Sequence, residues 1–243
     1  MDFHLLHFYP DLMNLYGSYA NVRVLGRLLE RLGHTVTVEA VTPGQETDLS
    51  QLSGADFLYM GAGTERRARF AMEDWGRYGE GIRSLAEDGV PMLYAGTAME
   101  LLGESVTTAE GGRYEGIALA SFATVQERGR RVGDVLGHTD LFPEPLVGFL
   151  NKSGVIRGID TPLLTSLDRG YGNESDRGPE GFHRWNVFAS ELTGPILVKN
   201  PRLLEVIAGE MLKRRGISLP EAWPVDTWAQ KGYAVTVREL GGV

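Results

Sequence analysis

The chain has 243 residues, a formal net charge of −8 and no cysteine. The lack of cysteine excludes disulfides, thiolate metal sites and a cysteine nucleophile, and an acidic chain with only short basic runs is a poor nucleic-acid binder. No apolar run approaches the roughly 20 residues that span a bilayer, so membrane insertion is not expected. The N-terminus does not resemble a signal peptide, and we therefore expect a cytoplasmic location.

The first hundred residues alternate apolar strands with amphipathic helices. Buried strands are predicted over 3–9, 34–41, 55–60 and 91–95. Helices are predicted over 19–32, where Gly33 ends the apolar spacing, and from Thr64, a capping residue, to Gly89. This order of strands and helices predicts an α/β fold with a mostly parallel sheet.

The second half of the chain has a different pattern. Short β segments are predicted near 117–125, 131–136, 146–149, 162–166 and 185–191, followed by a final helix near 201–215. No internal repeat or low-complexity linker divides the chain, so residues 1–243 are interpreted as a single domain.

Two sharp turns follow neighbouring strands of the predicted sheet, at 61–64 and at 96–98. In open α/β sheets, ligands bind beyond the carboxyl ends of the strands. The second turn has the strand–turn–helix form of a nucleophile elbow, and the first offers backbone N–H groups to an oxyanion. A glycine-rich turn of this kind is more often a plain connection, so the turns alone do not predict a function.

Further segments carry a family resemblance. In chain order they are HFYPDLMNLYGSYANVRVL (7–25), MGAGTERR (60–67), VPMLYAGTAMELLG (90–103), RRVGD (130–134), GYGN (170–173) and LTGPILVKNPRLLE (192–205). Together they resemble the CobB/CobQ-type class I glutamine amidotransferases, most of all the glutaminase subunits of lipid II isoglutaminyl synthases. The resemblance runs from about residue 3 to 215. It implies a flavodoxin-like fold, a mostly parallel central sheet with helices on both faces, and no cofactor.

The same resemblance implies that both catalytic positions of the family are lost. The family elbow reads roughly C-G-G-Y-Q-x-L-G, and residues 96–103 match it with Gly96 in place of the cysteine. The family's general base is the histidine of Y-L-H-G-P, and Thr193 stands in its place. We therefore predict no catalytic residue and no metal site.

A vestigial substrate pocket is still expected from the resemblance. Its predicted residues are Arg130, Gly61, Ala62, Gly63 and Thr97. A slip of one residue in the match would replace Arg130 by Arg131.

Other polar residues have structural interpretations. His183, the histidine nearest in sequence to Thr193, is expected on a solvated loop rather than as a relocated base. The residues interpreted as turn, strand or solvated helix positions are His4, His7, Asp11, Asn14, Glu65, Arg66 and Arg67.

Three functional hypotheses remain open. The first is a non-hydrolysing subunit that partners a Mur-ligase-like (MurT-type) ATP-dependent enzyme in peptidoglycan precursor amidation. The second is a binding module whose pocket holds glutamine or a similar small molecule. The third is a residual glutamine hydrolase with relocated catalytic residues.

Overall fold

The computed structural model of the protein describes residues 1–44, 52, 54–224 and 226–241. Its strands are β1 (Asp2–Phe8), β2 (Thr35–Val41), β3 (Phe57–Met60), β4 (Met92–Ala95), β5 (Ser105–Thr107), β6 (Arg113–Glu115), β7 (Ala123–Thr139), β8 (Phe142–Arg157), β9 (Ser166–Arg169), β10 (Phe182–Arg184), β11 (Val187–Ser190) and β12 (Leu192–Thr193). Its α-helices are α1 (Ala20–Arg31), α2 (Glu65–Trp75), α3 (Gly79–Glu87), α4 (Ile196–Lys199), α5 (Pro201–Arg214) and α6 (Thr227–Glu239). Short 3-10 segments lie at Leu15–Gly17, Gly76–Tyr78 and Gly96–Leu102.

The central sheet has the strand order β10-β11-β4-β3-β1-β2. All neighbouring strands in it are parallel except β10 and β11, which are antiparallel. The apolar strands β3 and β4 are buried along their whole length, as expected for parallel strands covered on both faces. The predicted mostly parallel sheet is confirmed.

Helices cover both faces of this sheet. On one face Trp75 of α2 and Ile82 of α3 pack in a core with Phe8 of β1. On the other face Leu25 of α1 and Leu204 of α5 pack in a second core. Both cores are contiguous apolar clusters, so the hydrophobic spacing of these helices predicted their placement correctly.

The second sheet differs from the sequence prediction. It has the order β12-β8-β7-β5-β6, with β9 paired to β7. Instead of separate short segments, the chain forms a long antiparallel hairpin of β7 and β8, with register shifts between Gln126 and Arg131 and between Gly137 and Thr139. The exposed residues 127–130 between the predicted segments lie in the first register shift, where they have no backbone pairing partner on β8, and pairing resumes at Arg131.

The C-terminal region also extends beyond the prediction. The predicted final helix is confirmed as α5, but α6 follows it, with the Asp226 carboxylate accepting a hydrogen bond from the Trp228 N–H at 2.8 Å. Helix α6 buries none of its side chains fully, so its sequence carries little hydrophobic signal. Within the described part of the chain, no helix combines the length and apolar character that crossing a bilayer requires.

Candidate functional site

The two turns singled out in the sequence meet at a pocket of about 220 Å³ beyond the carboxyl ends of β3 and β4. The predicted residues that line it are Ala62, Gly63, Gly96, Thr97, Arg130 and Thr193. Gly61 is not among the lining residues, and a side chain there would overlap the backbone oxygen of Met13 and the Ser18 hydroxyl. The structure therefore brings together the residues that the resemblance implied.

Gly96 and Thr193 are neighbours across the pocket. Gly96 has a φ of +61°, in the left-handed region that glycine tolerates, and a Cβ built on it would lie 3.7 Å from Thr193 Cγ2. The same Cβ would lie only 2.6 Å from Ala62 Cβ, closer than side-chain carbons approach in proteins. The space that a side chain at position 96 needs is therefore occupied by the methyl group of Ala62.

The turn at 61–64 does not offer all its backbone donors to a ligand. The Thr97 hydroxyl accepts a hydrogen bond from the Gly63 N–H and donates one to the Gly63 carbonyl, both at 3.0 Å. A ligand oxyanion would have to compete with this hydroxyl for the Gly63 N–H.

The Arg130 guanidinium lies at the pocket but is held by groups of the protein. It donates to Asn151 Oδ1 at 2.6 Å and to the Asn151 carbonyl at 2.8 Å, and it forms an ion pair with Glu65. Glu65 also accepts a hydrogen bond from the Ser153 hydroxyl at 3.0 Å. Burial by itself raises the pKa of the Glu65 carboxyl, but the hydrogen bonds from Arg130 and Ser153 outweigh it and hold the pKa below its usual value. Glu65 lies in the first turn of α2, as predicted, but its carboxylate is half-buried against Arg130 and Ser153 rather than fully solvated.

The structure also shows where Arg131 and His183 lie relative to the pocket. Arg131 pairs with Glu127 at 2.9 Å and does not line the pocket, so Arg130 is the residue that faces the turns. His183 lies on β10 with its ring 4.7 Å from that of Phe188, and it is not among the pocket residues either. Its expected place on a solvated loop is wrong, because it pairs within the central sheet.

Comparison with known proteins decides the family. Residues 4–201 match the CobB/CobQ-like glutamine amidotransferase domain. The chain is also 31% identical over 214 residues to the lipid II isoglutaminyl synthase (glutamine-hydrolyzing) subunit GatD of Streptococcus pneumoniae (strain ATCC BAA-255 / R6), a match that covers 87% of this chain and 81% of that protein. The chain belongs to the CobB/CobQ-like glutamine amidotransferase family.

Other relatives agree with this assignment. The subunit of the same name from Staphylococcus aureus (strain N315) is 28% identical over 213 residues, covering 88% of this chain and 86% of that protein. A crystal structure of a glutamine amidotransferase superposes with a TM-score of 0.54 over 87% of this chain and 99% of that one, at 16% identity. At that identity the structural likeness supports the fold, and the class I amidotransferase fold predicted from the sequence is confirmed.

Beneath the amidotransferase pocket lies a charged pair that sequence reasoning missed. Lys152 Nζ and Glu191 Oε2 are 2.6 Å apart, and their side chains are only 3% and 1% exposed. Both residues line the pocket. Removing both charges from water carries a large desolvation cost, and the attraction between the Lys152 ammonium and the Glu191 carboxylate offsets it.

Two more buried carboxyl groups surround this pair. Burial and then the nearby Glu191 carboxylate raise the pKa of Glu100 well above 4.5, although Gln126 donates a hydrogen bond to it at 2.9 Å. Burial also raises the pKa of Glu180 to about 7, against the opposing effects of Lys152 and of the Ser190 hydroxyl, which donates to it at 2.8 Å. No single residue in this cluster stands out in the sequence, because the charges come together only in the folded chain, where β12, next to Glu191, pairs with β8, which carries Lys152.

We expect Glu180 to make the folded protein less stable as the pH rises from 5 to 7. Its pKa is raised from 4.5 to about 7, so the folded state binds the proton more tightly, and this stabilisation is lost between those values. Glu180→Gln should reduce the fall in unfolding free energy between pH 5 and pH 7 by about 2 kcal/mol. Urea unfolding at both pH values measures it.

The matched control for this prediction is Glu110→Gln, which alters an exposed carboxyl group. The control should leave the pH dependence unchanged. An equal pH dependence in Glu180→Gln and the unaltered chain would show that Glu180 is ionised in the folded protein at pH 5.

Proposed function

We propose that this chain is a glutamine amidotransferase-like subunit that does not hydrolyse glutamine and that partners a Mur-ligase-like ATP-dependent ligase in peptidoglycan precursor amidation, in the cytoplasm. The observation that carries the proposal is Gly96 at the position of the attacking residue. It lies beside Thr193 in the pocket of a chain without cysteine.

The chemistry of glutamine hydrolysis explains why this observation matters. The reaction needs a nucleophile to attack the side-chain amide, a base to take its proton and give it to the leaving ammonia, and an oxyanion site. Glycine has no side chain with which to attack, and threonine at neutral pH cannot act as the base. In a well-studied hydrolase, loss of such residues costs up to about 10⁶ in kcat.

The names of the relatives support a partner subunit. Both GatD proteins are named as subunits of a lipid II isoglutaminyl synthase, and this chain matches most of their length. The chain keeps the family's sequence motifs but not its catalytic residues at positions 96 and 193, and selection for a contact with another subunit explains that combination. The ligase would then use free ammonia or another amine as its nitrogen source.

We expect the purified chain to release no ammonia from glutamine above background, alone or with the ligase. It should also form no covalent adduct with the glutamine analogue diazo-oxo-norleucine, because such analogues need a thiolate and the chain has no cysteine. A coupled ammonia assay and intact mass spectrometry measure the two results. Turnover comparable to that of an active amidotransferase assayed in parallel would contradict the proposal and favour the relocated hydrolase.

The partner is tested by co-expression with the Mur-ligase-like proteins of the native cell. A stable complex should contain one copy of each chain, detected by size-exclusion chromatography with light scattering, and a specific contact of this kind should bury at least about 1,200 Å². If the chain elutes alone beside every such ligase, the partner assignment fails.

The pocket supports a small-molecule binding module as the second candidate. A cavity of about 220 Å³ remains open, with a guanidinium from Arg130 at its edge. Saturable binding of glutamine by the isolated chain in calorimetry, without any ligase contact, would place this candidate first.

A further inference from the structure

A second cavity, of about 700 Å³, lies between α1, α4 and α6 and shares no lining residue with the pocket at Gly96. It is a groove with a floor of small and apolar side chains, among them Val24, Ala229 and Gly232. Since α6 buries none of its side chains fully, the helix forms one wall of this groove without closing it.

Aromatic and aliphatic side chains are exposed along the groove. Trp228 is 77% exposed, Tyr19 42% and Val198 36%, and all three line it. Exposed tryptophan and tyrosine beside a cavity are typical of protein interfaces, where they bury much area at little entropic cost.

The groove is also basic, in a chain with a net charge of −8. Arg23, Arg27 and Lys199 line it, and the described residues form no ion pair with any of the three. The one carboxylate in the lining, Asp226, already faces Arg31 at 3.6 Å. Because Arg23 and Arg27 are one helical turn apart on α1, they present two positive charges in a row along one wall.

The groove and the pocket at Gly96 share no lining residue, but neighbouring stretches of the chain line both of them. Tyr16 lines the pocket and Tyr19 lines the groove, three residues later. Thr193 lines the pocket and Val198 the groove, at the two ends of one short segment.

We propose that this groove is the docking site for an acidic, amphipathic segment of the ligase partner. This inference rests on the proposed function and identifies the surface through which the chain binds the ligase. Apolar side chains of the segment pack on the floor and against Trp228, and its carboxylates pair with Arg23 and Arg27. Charge complementarity of this kind selects the partner and speeds its association.

The test is the double charge reversal Arg23→Glu and Arg27→Glu in the full chain, with the purified Mur-ligase-like subunit as the probe. Calorimetry should show at least about tenfold weaker binding, because each reversal replaces an attraction by a repulsion. Trp228→Ser should weaken binding as well, through lost apolar contact. Both variants change exposed positions, and thermal unfolding checks that they fold.

The matched control is Arg66→Glu with Arg69→Glu, two exposed arginines on α2, which covers the opposite face of the central sheet. This control should bind as the unaltered chain does. The affinity of the unaltered chain should also fall as salt rises, and the Arg23→Glu, Arg27→Glu variant should show less of that dependence.

The outcomes separate this docking site from the proposed function. If the double charge reversal leaves the affinity for the ligase unchanged, the groove is not the docking site, but the ligase can still be the partner. No complex with the unaltered chain overturns the partner itself, and the docking site with it. A self-dimer of the unaltered chain that the double reversal abolishes assigns the groove to a second copy and overturns the acidic partner segment.

Discussion

The triple variant Ala62→Gly, Gly96→Cys, Thr193→His is expected to hydrolyse glutamine at least about 100-fold faster than the double variant that keeps Ala62. A Cβ at position 96 would lie 2.6 Å from Ala62 Cβ, so the thiol of the double variant can enter only by displacing the turn. Shifts of about 1 Å in a catalytic group cost rates of that order. Removing the Ala62 methyl group restores the space, and the short distance from position 96 to Thr193 puts an imidazole within reach.

Ammonia release measures this prediction, and labelling by diazo-oxo-norleucine supports it. Since the chain has no cysteine, any thiol adduct marks the introduced residue. Ala62→Gly alone is the control and should remain inactive, because it adds space without a nucleophile. Equal activity in the double and triple variants would contradict the prediction, because it would show that the turn at 61–64 moves aside for the new side chain without any loss of rate. Gly96→Cys alone should do little, because an unassisted thiol with a pKa near 8.5 is only a few per cent thiolate at neutral pH.

Lys152→Met is expected to lower the free energy of unfolding by about 3–5 kcal/mol. Methionine fills a similar volume, but it leaves the Glu191 carboxylate buried without its cation and close to Glu100 and Glu180. For a chain of this length a loss of that size lowers Tm by roughly 10 °C. Urea unfolding and calorimetry measure both quantities.

A double-variant cycle isolates the pair. Lys152→Met with Glu191→Leu removes both charges and should recover most of the stability, since an apolar pair of similar volume can replace a buried ion pair. Arg131→Met, at an exposed ion pair with Glu127, is the control and should change stability by less than about 1 kcal/mol. A small effect of Lys152→Met would show that the buried ion pair contributes little to the stability of the folded chain.

The candidate site was largely predictable from local sequence. The turns at 61–64 and 96–98 each follow a short apolar strand, and parallel strands bring their carboxyl ends to one edge of a sheet. That rule and the family motifs together place Gly96, Thr97, Ala62 and Gly63 at one pocket. The steric block by Ala62 was not predictable, because it depends on a distance between two loops.

Sequence alone determined the parallel sheet and its covering helices, and the family resemblance predicts from the sequence that both catalytic groups are lost. Apolar spacing is set by which face a residue buries, and a glycine at the elbow is visible without coordinates. Tertiary structure alone decided which charges are buried and which surfaces stay open. Lys152 and Glu191 are charged residues like any other in sequence, and only the packing of the hairpin against the central sheet takes them out of water. The groove beside α6 has the same origin, because it is a gap between elements that are distant along the chain.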